Sequence, residues 1–376
     1  MAILIKNGLV INNGFSGFTQ RDITIENGLI TEKASSEITE VFDARQNYVL
    51  PGLIDIHNHG AMGVYFGYSD DFDTPLQYLA RNGVTEVAAT LAVNTADTLK
   101  EAMSKVAKQT NVRRNGSNIV GIHLEGPFVS MEKKGAMSSP ENEASVEAFN
   151  SLVDAGNGLV KIMTVAPERE NALDIIREGV KRGIRMSIGH TMATYEQALA
   201  AIDAGASGST HTFNAMRSLL HRDPGVLGAV LTDKRITSEA ICDLVHLSAA
   251  TVKLIYLAKG ADGMILISDD GSQTGLPDGE YKVGSVVKTI KGDLCTINGG
   301  KTISGSMRPM VWGAQNLVKL GIPLCEVSKM GSYNPARALG LENELGSLEA
   351  GKRASIIIVD ESFGIKDVFV SGRHID

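Results

Sequence analysis

Six side chains are of the right type and placement to hold a cation. Asp55-Ile56-His57-Asn58-His59 sets two imidazoles two residues apart, and Glu125 closes His123-Leu124-Glu125. His190, His211 and Asp269 stand in Gly189-His190-Thr191, Thr210-His211-Thr212 and Ser268-Asp269-Asp270. Residues two apart on a strand share a face, so both imidazoles of the first segment can point at one centre. Imidazole and carboxylate are ligands that Zn²⁺, Fe²⁺ and Mn²⁺ accept. A single histidine at a strand end is more often a satisfied packing residue. Four histidines and two carboxylates ending apolar runs on one rim read instead as a metal centre. His123 lies two residues before Glu125, on the same face but one layer deeper, and reads as hydrogen-bonded support. Asp270 reads as a helix N-cap.

Positioning six groups on one rim requires eight strands with a common polarity. Runs with strand character occupy 53–59, 84–91, 119–125, 160–165, 184–190, 206–211, 236–242 and 264–269. Helical stretches such as 98–109, 172–182 and 195–203 separate them. This α/β alternation predicts a (β/α)₈ TIM-like barrel, in which catalytic groups sit at the C-terminal strand ends. The competing architecture is an open doubly wound sheet. Its first strand usually leads into a glycine-rich phosphate loop, and neither GxGxxG nor GxxxxGK[ST] occurs.

Both chain ends are β-rich: 3–11 and 22–31, with a hairpin turn at Asn27-Gly28, then 354–359 and 367–370 followed by Ser371-Gly372. They predict a small β-sandwich domain built from both termini, residues 1–52 plus 344–376, beside a barrel of 53–343. Leu276-Pro277-Asp278-Gly279 suggests a hairpin inserted after the eighth strand, with Asn298-Gly299 at its tip.

The 376 residues are 43% hydrophobic and carry a net charge of −7. That composition is globular, and the charge argues against nucleic acid or an anionic membrane as partner. An anionic small molecule would need a local cationic pocket. Cys242, Cys295 and Cys325 are scattered, without CxxC, which points to a reducing, cytoplasmic setting rather than a disulfide scaffold. No leader pattern opens the sequence, and no apolar run approaches the ~18 residues of a membrane span.

Pro51-Gly52-Leu53-Ile54-Asp55-Ile56-His57-Asn58-His59-Gly60 resembles the amidohydrolase superfamily. His123-Leu124-Glu125-Gly126-Pro127-Phe128, Thr210-His211-Thr212-Phe213-Asn214-Ala215-Met216 and Asn334-Pro335-Ala336-Arg337-Ala338-Leu339-Gly340 are similar to its N-acetylglucosamine-6-phosphate deacetylase branch. The resemblance spans essentially the whole chain. It implies hydrolysis of the acetamide of a phosphorylated N-acetylhexosamine by a divalent cation, zinc foremost and iron or manganese otherwise, one or two per subunit. It implies one ion on Glu125, His190 and His211, and a second on His57, His59 and Asp269 with Glu125 bridging. Asp269 would also be the catalytic acid–base. Ala136, Met137, Asn214, Ala215, Arg222, His246, Ile303, Ser304 and Gly305 match its substrate positions, Arg222 on the phosphate, and the resemblance implies a homodimer.

Two departures stand out. Met137 occupies a place where several relatives carry His or Gln; a thioether is a weak acceptor and no donor, which opens the galacto epimer as an alternative substrate. Asp270 stands where a small residue is usual. Strand four offers only Lys161, at its wrong end, against a carbamate-bridged centre. A different amide substrate, or a catalytically silent sugar-phosphate sensor, are the other readings.

Overall fold

The computed structural model describes residues 2–137, 142–283, 286–297, 299–300 and 302–376. Eight strands form one parallel sheet in chain order: β1 Leu53–Asn58, β2 Val84–Ala92, β3 Asn118–Glu125, β4 Val160–Val165, β5 Arg185–Ile188, β6 Gly208–Ser209, β7 Thr237–Ile241 and β8 Met264–Ile267. β1 and β8 are buried at every residue, as strands covered on both faces must be. The ring closes just beyond β8. There the Asp269 N–H donates to the His57 carbonyl (2.9 Å) and the His59 N–H to the Asp270 carbonyl (2.7 Å). The barrel therefore seals at residues that carry candidate ligands.

The eight expected strands are all present, but β5 and β6 stop at Ile188 and Ser209, short of their histidines. His190 and His211 have φ of 47° and 29°, and Asp269 has 56°. A side chain at positive φ is strained, and such strain is retained where it aims a functional group. Local chemistry starts the helices that return the chain. Thr95, Ser145, Thr194 and Ser248 cap theirs, and Thr194 with Gln197 completes a capping box. No helix among the described residues is long and apolar enough to cross a membrane.

The termini share a second sheet. Ala2–Ile11 pairs antiparallel with Phe18–Glu26, which turns through Asn27 and Gly28, both at positive φ, into Leu29–Thr31. The other edge of Ala2–Ile11 carries Ile38–Asp43 along its first half and Tyr48–Pro51 along its second. From Tyr48–Pro51 the sheet continues through Ile356–Val359, Ile365–Val370 and Arg373–His374. Phe42 meets Phe369 edge-on (4.9 Å, 88°), and one hydrogen-bonded sheet joins the strands of both termini.

After β8 the expected hairpin is larger, a four-stranded antiparallel sheet of Gly279–Val283, Val286–Lys291, Leu294–Ile297 and Thr302–Ile303. Asn298, the expected tip, lies outside the described residues.

Candidate metal centre

The C-terminal mouth gathers all six candidate ligands. Glu125 Oε1 lies 3.0 Å from His190 Nε2, 3.0 Å from His211 Nε2 and 3.2 Å from His57 Nε2, while Oε2 lies 3.3 Å from His59 Nε2. Asp269 Oδ1 lies 3.5 Å from His57 Nε2 and 3.4 Å from His59 Nε2. Glu125 thus faces four imidazoles and Asp269 two, which fits a pair of neighbouring sites with Glu125 between them.

The partners of the ring nitrogens show how the imidazoles are oriented. His190 Nδ1 meets the Lys133 carbonyl (2.7 Å) and His59 Nδ1 the Thr90 carbonyl (3.1 Å). A carbonyl only accepts, so both Nδ1 atoms donate, and in the neutral ring each Nε2 then turns its lone pair inward. His190 Nε2 and His211 Nε2 lie 2.9 Å apart, and His57 Nε2 is buried without a hydrogen-bond partner. Converging lone pairs and carboxylates repel unless a cation or protons lie among them. Without a cation, His57 takes that part. Burial opposes its charge, but Glu125, Glu239 and Asp269 outweigh burial and hold its pKa well above 6.5. Burial would raise Glu125, yet His57, His190 and His211 keep it well below the usual carboxylate range. Nitrogen and oxygen donors in this number suit Zn²⁺, Fe²⁺ or Mn²⁺.

An amidohydrolase family model matches residues 48–375, all of the barrel and part of the terminal sheet. The chain belongs to the amidohydrolase family. It is 37% identical over 330 residues to the N-acetylglucosamine-6-phosphate deacetylase of Vibrio furnissii, covering 86% of this chain and 82% of that protein. It is 34% identical to the N-acetylgalactosamine-6-phosphate deacetylase of Escherichia coli O157:H7, with 86% of each covered. Among solved structures, the N-acetyl-D-glucosamine-6-phosphate deacetylase of Mycobacterium smegmatis superposes with a TM-score of 0.87 at 31% identity, covering 100% of both chains.

In this amidohydrolase several residues missed by sequence reasoning support the ligands. Glu239, fully buried on β7, sets Oε2 3.3 Å from His57 Nδ1 and accepts from the His211 N–H (3.3 Å). Glu168 accepts from the Thr191 hydroxyl and the Met192 N–H, both at 2.5 Å, fixing the chain beyond His190. The Asp55 carboxylate spans the barrel seam, taking the His57 N–H (3.3 Å), the Ser268 N–H (3.3 Å), the Ser268 hydroxyl (2.5 Å) and the Asn58 amide (3.0 Å). A carboxylate inside a strand buried from Ser238 to Ile241 was the available signal for Glu239.

His123 lies beneath the ligands. Nδ1 meets the Ile56 carbonyl (3.1 Å), Nε2 the Thr164 hydroxyl (2.9 Å), and burial with the charge on His57 lowers its pKa to about 3. Lys161 sits near the start of β4, against Gly121. Asp270 is not a helix cap. The next element is the strand Gly279–Val283, and its carboxyl is buried, taking the Asn58 amide at 3.4 Å. Burial, Asp55 and Asp269 raise its pKa well above 3.8.

The expected substrate residues are distributed around the mouth. A Cβ on Gly135 would lie 3.6 Å from the His190 ring, and Ala136 and Met137, both half-buried, follow it in the chain. Asn214 donates to the His211 carbonyl (3.2 Å), and the Ala215 carbonyl accepts from Thr191 N–H (3.1 Å). His246 Nδ1 pairs with Asp243 (2.7 Å); burial opposes its charge, but Asp243 prevails and raises its pKa. Gly305 approaches Asp269 so closely that a Cβ would lie 2.9 Å from the Asp269 carbonyl oxygen, and its φ is +67°. Ser304 is buried and Ile303 exposed on the same segment. Arg222 is exposed on the loop after β6, where Arg217 pairs with Asp223.

Proposed function

We propose that this amidohydrolase removes the acetyl group from N-acetyl-D-glucosamine 6-phosphate, giving D-glucosamine 6-phosphate and acetate. The observation that carries the reading is the inward convergence of four imidazole Nε2 atoms and the Glu125 and Asp269 carboxylates at the barrel mouth. A divalent cation held by those residues would supply Lewis acidity, lowering the pKa of water towards about 7 and polarising an amide carbonyl. The chain's own residues do the rest. Asp269 is 14% exposed, open to the cleft, and its pKa is about 2: burial opposes ionisation, but His59 and His57 overcome it. It is therefore ionised at neutral pH and able to take a proton from the attacking water. It then returns that proton to the nitrogen of the leaving amine, because an amide anion is too poor a leaving group to depart unprotonated. His246, held by Asp243 at 2.7 Å, and Arg222 recognise the phosphate. The subunit works as a homodimer in a reducing cytoplasm, with zinc as the resident ion.

The relatives support the substrate. A variant of the mycobacterial enzyme was solved in complex with N-acetyl-D-glucosamine-6-phosphate, and this chain superposes on it with a TM-score of 0.87 at 31% identity. Met137 and the 34% identity to the galactosamine-phosphate enzyme favour the C4 epimer as a second reading. Acetate release from the gluco and galacto 6-phosphates and from unphosphorylated N-acetylglucosamine, with zinc added, tests both. The gluco phosphate is expected to show the highest kcat/KM. A higher value for the galacto phosphate would establish the second reading, and no release from any of them would overturn both.

A further inference from the structure

The four-stranded insertion after β8 has little apolar hold on the barrel. Its buried cluster is Ile290, Cys295 and Met307, with Leu276 and Tyr281 packed against it. Yet it buries an ammonium, since Lys288 is 5% exposed. Lys288 Nζ donates to Tyr65 Oη (2.6 Å) and Gln273 Oε1 (2.5 Å) and lies 5.1 Å from the Tyr65 ring centre. Both hydrogen-bond partners are neutral. These two hydrogen bonds and the ring contact tie the insertion to two separate segments, one after β1 and one after β8.

Both partners lead to the metal centre. Tyr65 pairs with Gly60 in the short hairpin that follows His59, and its ring centre lies 6.5 Å from that of His59. Gln273 Nε2 donates to the Ser306 carbonyl (3.2 Å), as does the Thr274 hydroxyl (2.7 Å). The Ser306 N–H donates to the Asp269 carbonyl (2.9 Å), and its hydroxyl reaches Asp243 Oδ2 (3.4 Å), the carboxylate that holds His246. A Cβ on Gly305 would lie 2.5 Å from Gln273 Nε2, so this side chain also supports the segment expected to contact the sugar.

We propose that Lys288 is a positioning residue that straps the insertion onto the mouth of the site. Through Gln273 and Ser306 it fixes the main chain at Asp269 and the Ile303-Ser304-Gly305 wall. The consequence for turnover rests on the deacetylase reading; the strap itself does not.

The test compares wild type, Lys288→Met, Gln273→Leu and the double variant, all zinc-loaded. Lys288→Met is expected to speed amide hydrogen exchange in Gly279–Val283, Val286–Lys291 and Leu294–Ile297 by about tenfold, with exchange in the barrel strands unchanged. KM for N-acetylglucosamine 6-phosphate is expected to rise by about tenfold in Lys288→Met and kcat to fall less, with the double variant no worse than Gln273→Leu. Wild-type exchange in the insertion, or KM effects that multiply in the double variant, would overturn the proposal. Should Lys288→Met fail to fold, the exchange of Gln273→Leu decides it by the same criterion. If wild type deacetylates nothing, the functional reading fails, while the exchange data still judge the strap.

Discussion

Glu239 offers the sharpest check on how the metal centre is held. It is fully buried, with Oε2 3.3 Å from His57 Nδ1 and 3.3 Å from the His211 main-chain nitrogen. It therefore orients one ring and the backbone of a second ligand. Loss of such an outer partner typically weakens metal binding by about 10- to 100-fold, or about 1.4–2.8 kcal/mol. Glu239→Gln keeps the shape and one acceptor but removes the charge that favours a proton on Nδ1. Glu239→Leu removes the acceptor too and leaves the His211 N–H buried without a partner, which adds about 1–3 kcal/mol of penalty. Gln is thus expected near the lower end of the loss and Leu at or beyond the upper end.

The assay is zinc titration of the cation-free protein in competition with a chromophoric chelator, at a series of pH values. A proton on His57 competes with the ion, and Glu239 helps hold that proton by raising the His57 pKa. The competition grows as pH falls, so wild-type affinity declines on the acid side. Without the Glu239 charge the proton is held less firmly, and the decline should begin at lower pH. Wild-type affinity in both variants, or a pH profile unmoved in Glu239→Gln, would refute the reasoning.

Other outcomes follow from particular contacts. Arg222→Ala should raise KM for the phosphorylated sugar by about 10- to 100-fold, the range of a charge-assisted contact, with little change for the unphosphorylated sugar; parallel substrate titrations check it. Asp55→Ala deprives the His57 and Ser268 N–H groups of their acceptor at the barrel seam and should destabilise by about 2–5 kcal/mol in urea unfolding. Glu26 accepts the hydroxyls and N–H groups of Ser35 and Ser36, which lower its pKa from 4.5 to about 2. Because the folded-state value is depressed, its stabilisation is complete above about pH 4.5 and is lost as pH falls towards 2. Glu26→Gln should flatten that part of the stability–pH curve, measured by denaturant melts.

The six mouth residues could be picked out from sequence because each ends an apolar run, and a parallel barrel sends every strand end to one rim. The exact end of a strand was less legible. β5 and β6 break before His190 and His211 because aiming those rings inward requires positive φ, which no hydrophobic pattern encodes. Asp270 was misread for a related reason. Capping presumes that a helix follows β8 directly, and the insertion displaces it, leaving a carboxyl buried by Asn58.

Glu239 and Lys288 were hidden for different reasons. Glu239 stands 182 residues from His57, and only ring closure of the barrel brings β7 across from β1. Its run, Ile236-Thr237-Ser238-Glu239-Ala240-Ile241-Cys242, did carry a clue: a strand buried on both faces cannot hold a carboxylate without a partner. Lys288 carried none. On a strand whose residues alternate between buried and exposed, a lysine reads as a solvated side chain. Its burial depends on which face of the insertion meets Tyr65 and Gln273, and that is decided by packing across chain segments 15 and 223 residues away. Ligands that line a strand end can be inferred from spacing; the groups that hold those ligands still are fixed by closure and docking, and appear only when the chain is folded.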